Sequence, residues 1–135
     1  MNTIRKINDD LAIAGQITSE QLQQIVQEGF KSVLNLRSPN EEGFLINEQQ
    51  QLEALGLYYL NVPVKLEAIN DEEVAQVLQK IDELTKPALV HCNNAIRAAA
   101  IVLMHIATQQ GVSLSQAFKQ AERLGLFGRV TLKDN

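Results

Sequence analysis

Two rhythms of apolar residues alternate along this chain. Short unbroken apolar runs suit buried strands, and longer stretches with an apolar residue every three or four positions suit helices. Thr3 to Ile7 and Leu11 to Ala14 are expected as two short strands around an Asn8-Asp9-Asp10 turn. A helix follows, opened by Thr18 with Gln21 as a capping box, buried along Leu22, Ile25 and Val26, and closed at Gly29. Ser32 to Leu36 is a buried strand that feeds a polar loop from Arg37 to Gly43, and the helix beyond runs to Leu55 and stops at Gly56. Leu57 to Val64 is the next strand, interrupted by Pro63.

After a loop from Lys65 to Asn70, Val74, Val77, Leu78, Ile81 and Leu84 recur at helical spacing behind an Asn70-x-x-Glu73 cap. Ala88 to His91 is a short apolar strand entered through Pro87, and Ala98 to Ile106, apolar on every side, predicts a buried helix ending near Gly111. Ser113 and Gln116 cap a last helix with Leu114, Ala117, Phe118, Ala121 and Leu124 on its buried face and Gly125 at its close, and the tail beyond it has no clear period. Strands and helices alternating at such short intervals predict an α/β fold. Its core is a mainly parallel central sheet of about four to five strands, with helices on both faces.

Composition narrows the class. The chain has 135 residues, enough for a core without metal or disulfide support, and 1–135 is expected as one domain. Its single cysteine permits no internal disulfide and fits a reducing cytoplasm. Arg5 and Lys6 are followed by Ile7-Asn8-Asp9-Asp10 rather than by the apolar stretch of a signal peptide, and no stretch is long enough to span a membrane. A net charge of −4 with basic residues scattered singly gives no footprint for nucleic acid. No nucleic-acid partner, membrane partner, metal site or cofactor is expected.

The chemistry concentrates between the Ala88–His91 strand and the apolar helix after it. A strand-turn-helix aims the unpaired N–H groups of the first helical turn at one spot, and the helix dipole favours negative charge there. Arg97 adds a planar fork suited to two oxyanion oxygens. The loop Asn93, Asn94, Ala95, Ile96, Arg97 and Ala98 is therefore expected to bind an oxyanion such as phosphate or sulfate. Cys92 sits in the same field. A free thiol titrates at about 8.5, and a helix N-terminus beside a cation can bring it to about 3.5–7.5. The competing reading makes Cys92 an inert buried side chain. Arg97 weighs against it, because an isolated guanidinium in an apolar helix is costly and no acidic residue lies within ten positions on either side. An anion from outside the protein is expected to fill the fork. Arg37 also falls just after a strand and is expected in the same cleft.

His91-Cys92, a short loop, Arg97 and an alanine-rich helix resemble the signature of the cysteine-dependent protein tyrosine phosphatase superfamily. Ala14-Gly15-Gln16, Gly29-Phe30-Lys31, Val33-Leu34-Asn35-Leu36-Arg37 and Asn61-Val62-Pro63-Val64 are together similar to bacterial beta-lactamase-hydrolase-like and dual-specificity-like phosphatase domains. The resemblance implies hydrolysis of a phosphomonoester, protein-borne or small, with Cys92 as nucleophile, a thiophosphate intermediate and Arg97 gripping the phosphoryl oxygens. It implies a supporting role for His91 and Arg37. His105, inside the apolar helix, reads as an ordinary satisfied core residue.

The chain departs from that pattern in four places. Only Asn93, Asn94, Ala95 and Ile96 separate cysteine from arginine, where the widespread phosphatase loop has five residues; the shorter spacing is shared with rhodanese-type sulfurtransferases. The loop glycine is absent, and an asparagine is expected to supply any left-handed backbone. Ala98 stands where a serine or threonine usually stabilises the leaving thiolate. The general acid is unassigned: Lys65 opens the loop that usually carries it, leaving Glu67, Asp71 and Glu72 as candidates, of which the last two also suit a helix first turn. A cysteine-dependent phosphatase is the leading expectation. The alternatives are a phosphate-binding module with little turnover and a rhodanese-type sulfurtransferase.

Overall fold

The computed structural model describes residues 3–125, among which the chain forms a five-stranded sheet clad by helices on both faces. The strands are β1 (Arg5–Lys6), β2 (Leu11–Ala14), β3 (Ser32–Asn35), β4 (Tyr58–Asn61) and β5 (Ala88–His91). Their order is β1-β2-β5-β3-β4, with β1 antiparallel to β2 and every other pairing parallel. The last strand in sequence thus lies in the middle. Ala88 to Val90 are fully buried, as an apolar run flanked by strands on both edges and helices on both faces must be.

Side chains alternating across the sheet divide the core in two. Leu11, Ile13, Leu34, Ala88 and Val90 point to one face, where Val74, Val77 and Ile81 of α3 (Asp71–Glu83), Ile101 and Met104 of α4 (Ile96–Gln109) and Ala117 and Ala121 of α5 (Leu114–Arg123) cover them. Ala12, Ala14, Val33 and Leu89 point to the other, against Leu22 and Ile25 of α1 (Leu22–Gln27) and Leu52 of α2 (Glu48–Ala54). The α3 cap forms as its sequence requires: Glu73 N–H donates to Asn70 Oδ1 at 2.8 Å, and Asn70 N–H donates to Glu73 Oε1 at 3.2 Å.

Several expectations are corrected. The first strand is confined to Arg5–Lys6. Thr18 and Gln21 open a 3-10 turn, Ser19–Gln21, rather than the α-helix itself. Val26 is 37% exposed, because this six-residue helix needs only Leu22 and Ile25 to face the sheet. Leu124 is 67% exposed just past the end of α5. His105 bonds Asp82 Oδ1 through Nε2 at 2.7 Å, but its buried Nδ1 has no partner, so it is only half satisfied. Residues 126–135, where no period was legible, lie outside the described residues. Among the described residues no helix is long and apolar enough to cross a membrane.

Candidate active site

Parallel pairing brings the carboxyl ends of β2, β3, β4 and β5 to one edge, where open α/β sheets bind ligands. The register puts Ala14 and Asn35 on either side of His91, so the next residues of all three strands converge. Cys92 is fully buried at that point, its N–H donating to Ala14 O at 3.3 Å. The chain then turns through Asn93, Asn94 and Ala95 into α4, which starts two residues earlier than its apolar run suggested.

The loop is held from outside rather than closed on itself. Gln16 N–H donates to Asn93 O at 3.2 Å, and Ile96 N–H donates to Asn94 Oδ1 at 3.1 Å. Among the described residues, no acceptor takes the N–H groups of Asn93, Asn94, Ala95, Arg97 or Ala98. The left-handed backbone expected of an asparagine falls instead on Ala95, with φ +75°. A Cβ in that region costs about 1–2 kcal/mol, so the loop stores strain where its donors gather.

Arg97 is not unpartnered. Its Nη1 donates to Glu41 Oε2 at 2.7 Å and its Nη2 to Glu41 Oε1 at 2.8 Å, a two-pronged ion pair with a residue 56 positions away. The expectation that no internal carboxylate reaches the fork is therefore wrong: folding brings one in from the loop after β3. Nη1 also donates to Val64 O at 3.1 Å and Nη2 to Asn93 Oδ1 at 3.1 Å. These bonds engage the end of the guanidinium, and the Cys92 thiol is a further partner of the same group. The Glu41 hydrogen bond, opposed by burial, raises the Arg97 pKa; the same bond holds the Glu41 carboxyl down at about 2, again against burial.

Arg37 takes the role of anchor for that carboxylate. It is 4% exposed, and its Nε donates to Glu41 Oε1 at 3.1 Å. Its Nη1 donates to Gly43 O at 3.1 Å and to Gln16 Oε1 at 2.7 Å, and its Nη2 donates to Glu42 O. Every polar edge of Arg37 is spent on the 41–43 turn and on Gln16, so it reaches Arg97 only through Glu41.

A second carboxylate missed at the sequence level lies behind the loop. Glu48, 1% exposed in the first turn of α2, pairs its Oε2 with His91 Nε2 at 2.5 Å. Gln16 Nε2 donates to Glu48 Oε1 at 2.8 Å, and His91 Nδ1 lies 3.3 Å from Cys92 O. A polar chain thus runs from Arg37 through Gln16 and Glu48 to His91 and the carbonyl of the cysteine. Nothing local marks Glu48 or Glu41 as buried partners, since both sit in polar stretches. The one hint was Gln16, within Ala14-Gly15-Gln16.

The acid candidates stand apart. Glu67 is exposed in a 3-10 turn, Leu66–Ala68, and Asp71 and Glu72 are exposed in the first turn of α3. None of the three forms a hydrogen bond or ion pair with the 92–98 loop among the described residues. Among these residues there is also no cluster of three or more His, Cys, Asp or Glu side chains able to hold a metal ion.

The sequence matches the PTP-NADK family, described as a DSP-PTPase phosphatase fused to NAD+ kinase, over residues 5–134. The chain belongs to this family of protein tyrosine phosphatase-like domains. It is 31% identical over 102 residues to a beta-lactamase hydrolase-like protein of Agrobacterium fabrum, covering 73% of this chain and 24% of the relative. The chain therefore spans about a quarter of that curated relative's length. A candidate phosphatase (DUF442) from Shewanella putrefaciens has the same fold, with a TM-score of 0.75 at 21% identity over 96% of this chain and 89% of its own. So has TpbA of Pseudomonas aeruginosa, solved with phosphotyrosine, with a TM-score of 0.71 at 18% identity over 93% and 74% of the two chains.

Proposed function

We propose that the chain is a phosphomonoester hydrolase in which Cys92 Sγ attacks the phosphorus. The observation that carries this reading is the ring of N–H groups from Asn93 to Ala98 without protein acceptors, wrapped around a cysteine that Arg97 also contacts. In the first step an S–P bond forms and the bond from phosphorus to the leaving oxygen breaks, the oxygen taking a proton from solvent or an acid. In the second, water attacks phosphorus, the S–P bond breaks, and phosphate departs with the thiolate restored. Glu41 holds the end of the Arg97 guanidinium, so that its Nε side remains for the phosphoryl oxygens. Glu48 and His91 fix the backbone beneath the sulfur. The phosphotyrosine bound by the Pseudomonas aeruginosa neighbour is a phosphomonoester of the kind this reading requires.

Turnover of a generic aryl phosphate tests the proposal, because an aryl oxide leaves without much help from an acid. Hydrolysis lost in Cys92→Ser supports the reading; equal hydrolysis in both proteins overturns it. A phosphate-binding role with little turnover is favoured by two observations: Glu41 already engages the Arg97 fork, and Ala98 brings a methyl where a hydroxyl would assist the sulfur. Phosphate binding by a parent protein that leaves aryl phosphate intact would select that second reading.

A further inference from the structure

The cysteine loop has two flanks, and only the β3 flank, with Glu41, Arg37 and Arg97, is used above. On the opposite flank a cavity of about 470 Å³ is lined by Thr3, Arg5, Ile13, Gly15 and the loop residues Asn93 to Ala95. Its position follows from the pairing of the edge strand. β1 runs antiparallel to β2 with Arg5 opposite Ile13, so the residues before Arg5 lie beside the carboxyl end of β2, where β5 delivers the loop. Directly opposed residues share a sheet face, and Ile13 belongs to the same face as Cys92. Lys6 points to the other face.

Arg5 is thus the cavity's one charged lining residue, and no carboxylate lines it. It is exposed and enters no ion pair or hydrogen bond among the described residues. The opposite wall is the backbone of Asn93, Asn94 and Ala95, whose N–H groups have no acceptor. A guanidinium facing polar backbone across a space of this size suits a second oxyanion next to the one over Cys92.

We infer that Arg5 and the Asn93–Ala95 segment form a second oxyanion subsite, so that the preferred substrate is a compact phosphomonoester bearing a neighbouring anionic group. The inference rests on the phosphatase reading for its substrate but not for its binding. An exposed arginine on an edge strand can also serve only to deter pairing with other chains. The experiment therefore compares substrates rather than activities.

The parent protein, Arg5→Gln and Lys6→Gln are each assayed on an aryl phosphate with no second charge and on a cyclitol bisphosphate with adjacent phosphates. In Arg5→Gln the ratio of kcat/KM for the bisphosphate to that for the aryl phosphate should fall about tenfold, as loss of one charge-assisted contact implies, with Lys6→Gln keeping the parent ratio. An unchanged ratio in Arg5→Gln, or an equal fall in Lys6→Gln, overturns the subsite. If the parent hydrolyses neither compound, the phosphatase reading fails separately, and titration calorimetry decides the subsite. Arg5→Gln should then weaken the bisphosphate about tenfold relative to inorganic phosphate, and equal weakening of both overturns it.

Discussion

Two loops meet at the carboxyl edge of the sheet, and they spend their polar groups in opposite ways. The 37–43 loop is closed on itself: Arg37 donates to Glu41, Glu42 and Gly43, Ser38 N–H donates to Glu41 Oε2 at 2.9 Å, and Gly43 takes the positive φ of +86° at no steric cost. The 92–98 loop leaves five N–H groups without an acceptor and puts its positive φ on an alanine. One loop has the marks of a structure stabilised for its own sake. The other keeps donors and strain in reserve, which marks a site meant to meet an anion. Glu41 joins them, lending the satisfied loop's charge to the guanidinium of the open one.

Removing the sulfur cuts the open loop's chemistry and leaves both loops standing. Cys92→Ser should lower aryl phosphate turnover at least about a thousandfold, because serine lacks a competent nucleophile here, while thermal unfolding stays close to the parent. Retained turnover alongside an unchanged melting curve would show that the open donors serve something other than covalent catalysis.

Arg97→Lys breaks the link between the loops on its open side. Lysine keeps the charge but cannot grip Glu41 with two parallel bonds while presenting another edge to an anion, so kcat/KM should fall roughly a hundredfold. Vanadate affinity measured in parallel should fall with it. Parent-like affinity would mean that Arg97 serves only the Glu41 pair.

The partner cut, Glu41→Gln, acts from the closed side. It leaves Arg37 and Arg97 without their shared carboxylate, and a loss on the order of 2–3 kcal/mol of stability is expected, with kcat/KM down about tenfold. The pH dependence gives the sign. Glu41 is held at about 2 in the folded chain against an ordinary 4.5, so its contribution is present above pH 4.5 and is lost as pH falls toward 2. Denaturant midpoints of parent and variant, measured from pH 6 to pH 2, should therefore converge in acid. Parallel curves across that range would remove Glu41 from the account. A rise in phosphate affinity in the variant would instead show that the carboxylate competes with the anion.

The same contrast explains what could be read from residues alone. The strands Leu11–Ala14 and Ala88–His91, the Asn70 cap and the convergence of Cys92, Arg97 and Arg37 were legible because each rests on local pattern: unbroken apolar runs, cap spacing, a charged residue at an apolar helix start. The partner of Arg97 was not. Searching ten positions either side could not find Glu41 at a separation of 56, because the sheet order that places β3 next to β5 is a property of the whole chain. Glu48 was hidden for the same reason: it sits among Asn47, Gln49 and Gln50, and only packing of α2 against the sheet buries it. Val26 erred the other way, since its spacing fits a buried face that a six-residue helix does not need.

The smallest expected effect concerns the strain itself. Ala95 is the one non-glycine residue with positive φ among the described residues, and it sits directly before α4. Glycine adopts that conformation freely, but it also gains freedom in the unfolded chain, so Ala95→Gly should stabilise the protein by only about 0.5–1 kcal/mol. The variant also sharpens the contrast between the loops, because it gives the open loop the kind of residue that the closed loop already has at Gly43. If strain is merely tolerated, denaturant midpoint rises and phosphate affinity stays put. If it preorganises the ring of N–H groups, the same rise comes with weaker phosphate binding, as a relaxed loop has more conformations to lose. A fall in stability would mean that the Ala95 methyl makes contacts worth more than the strain, and the alanine would then belong with the packed core rather than with the site.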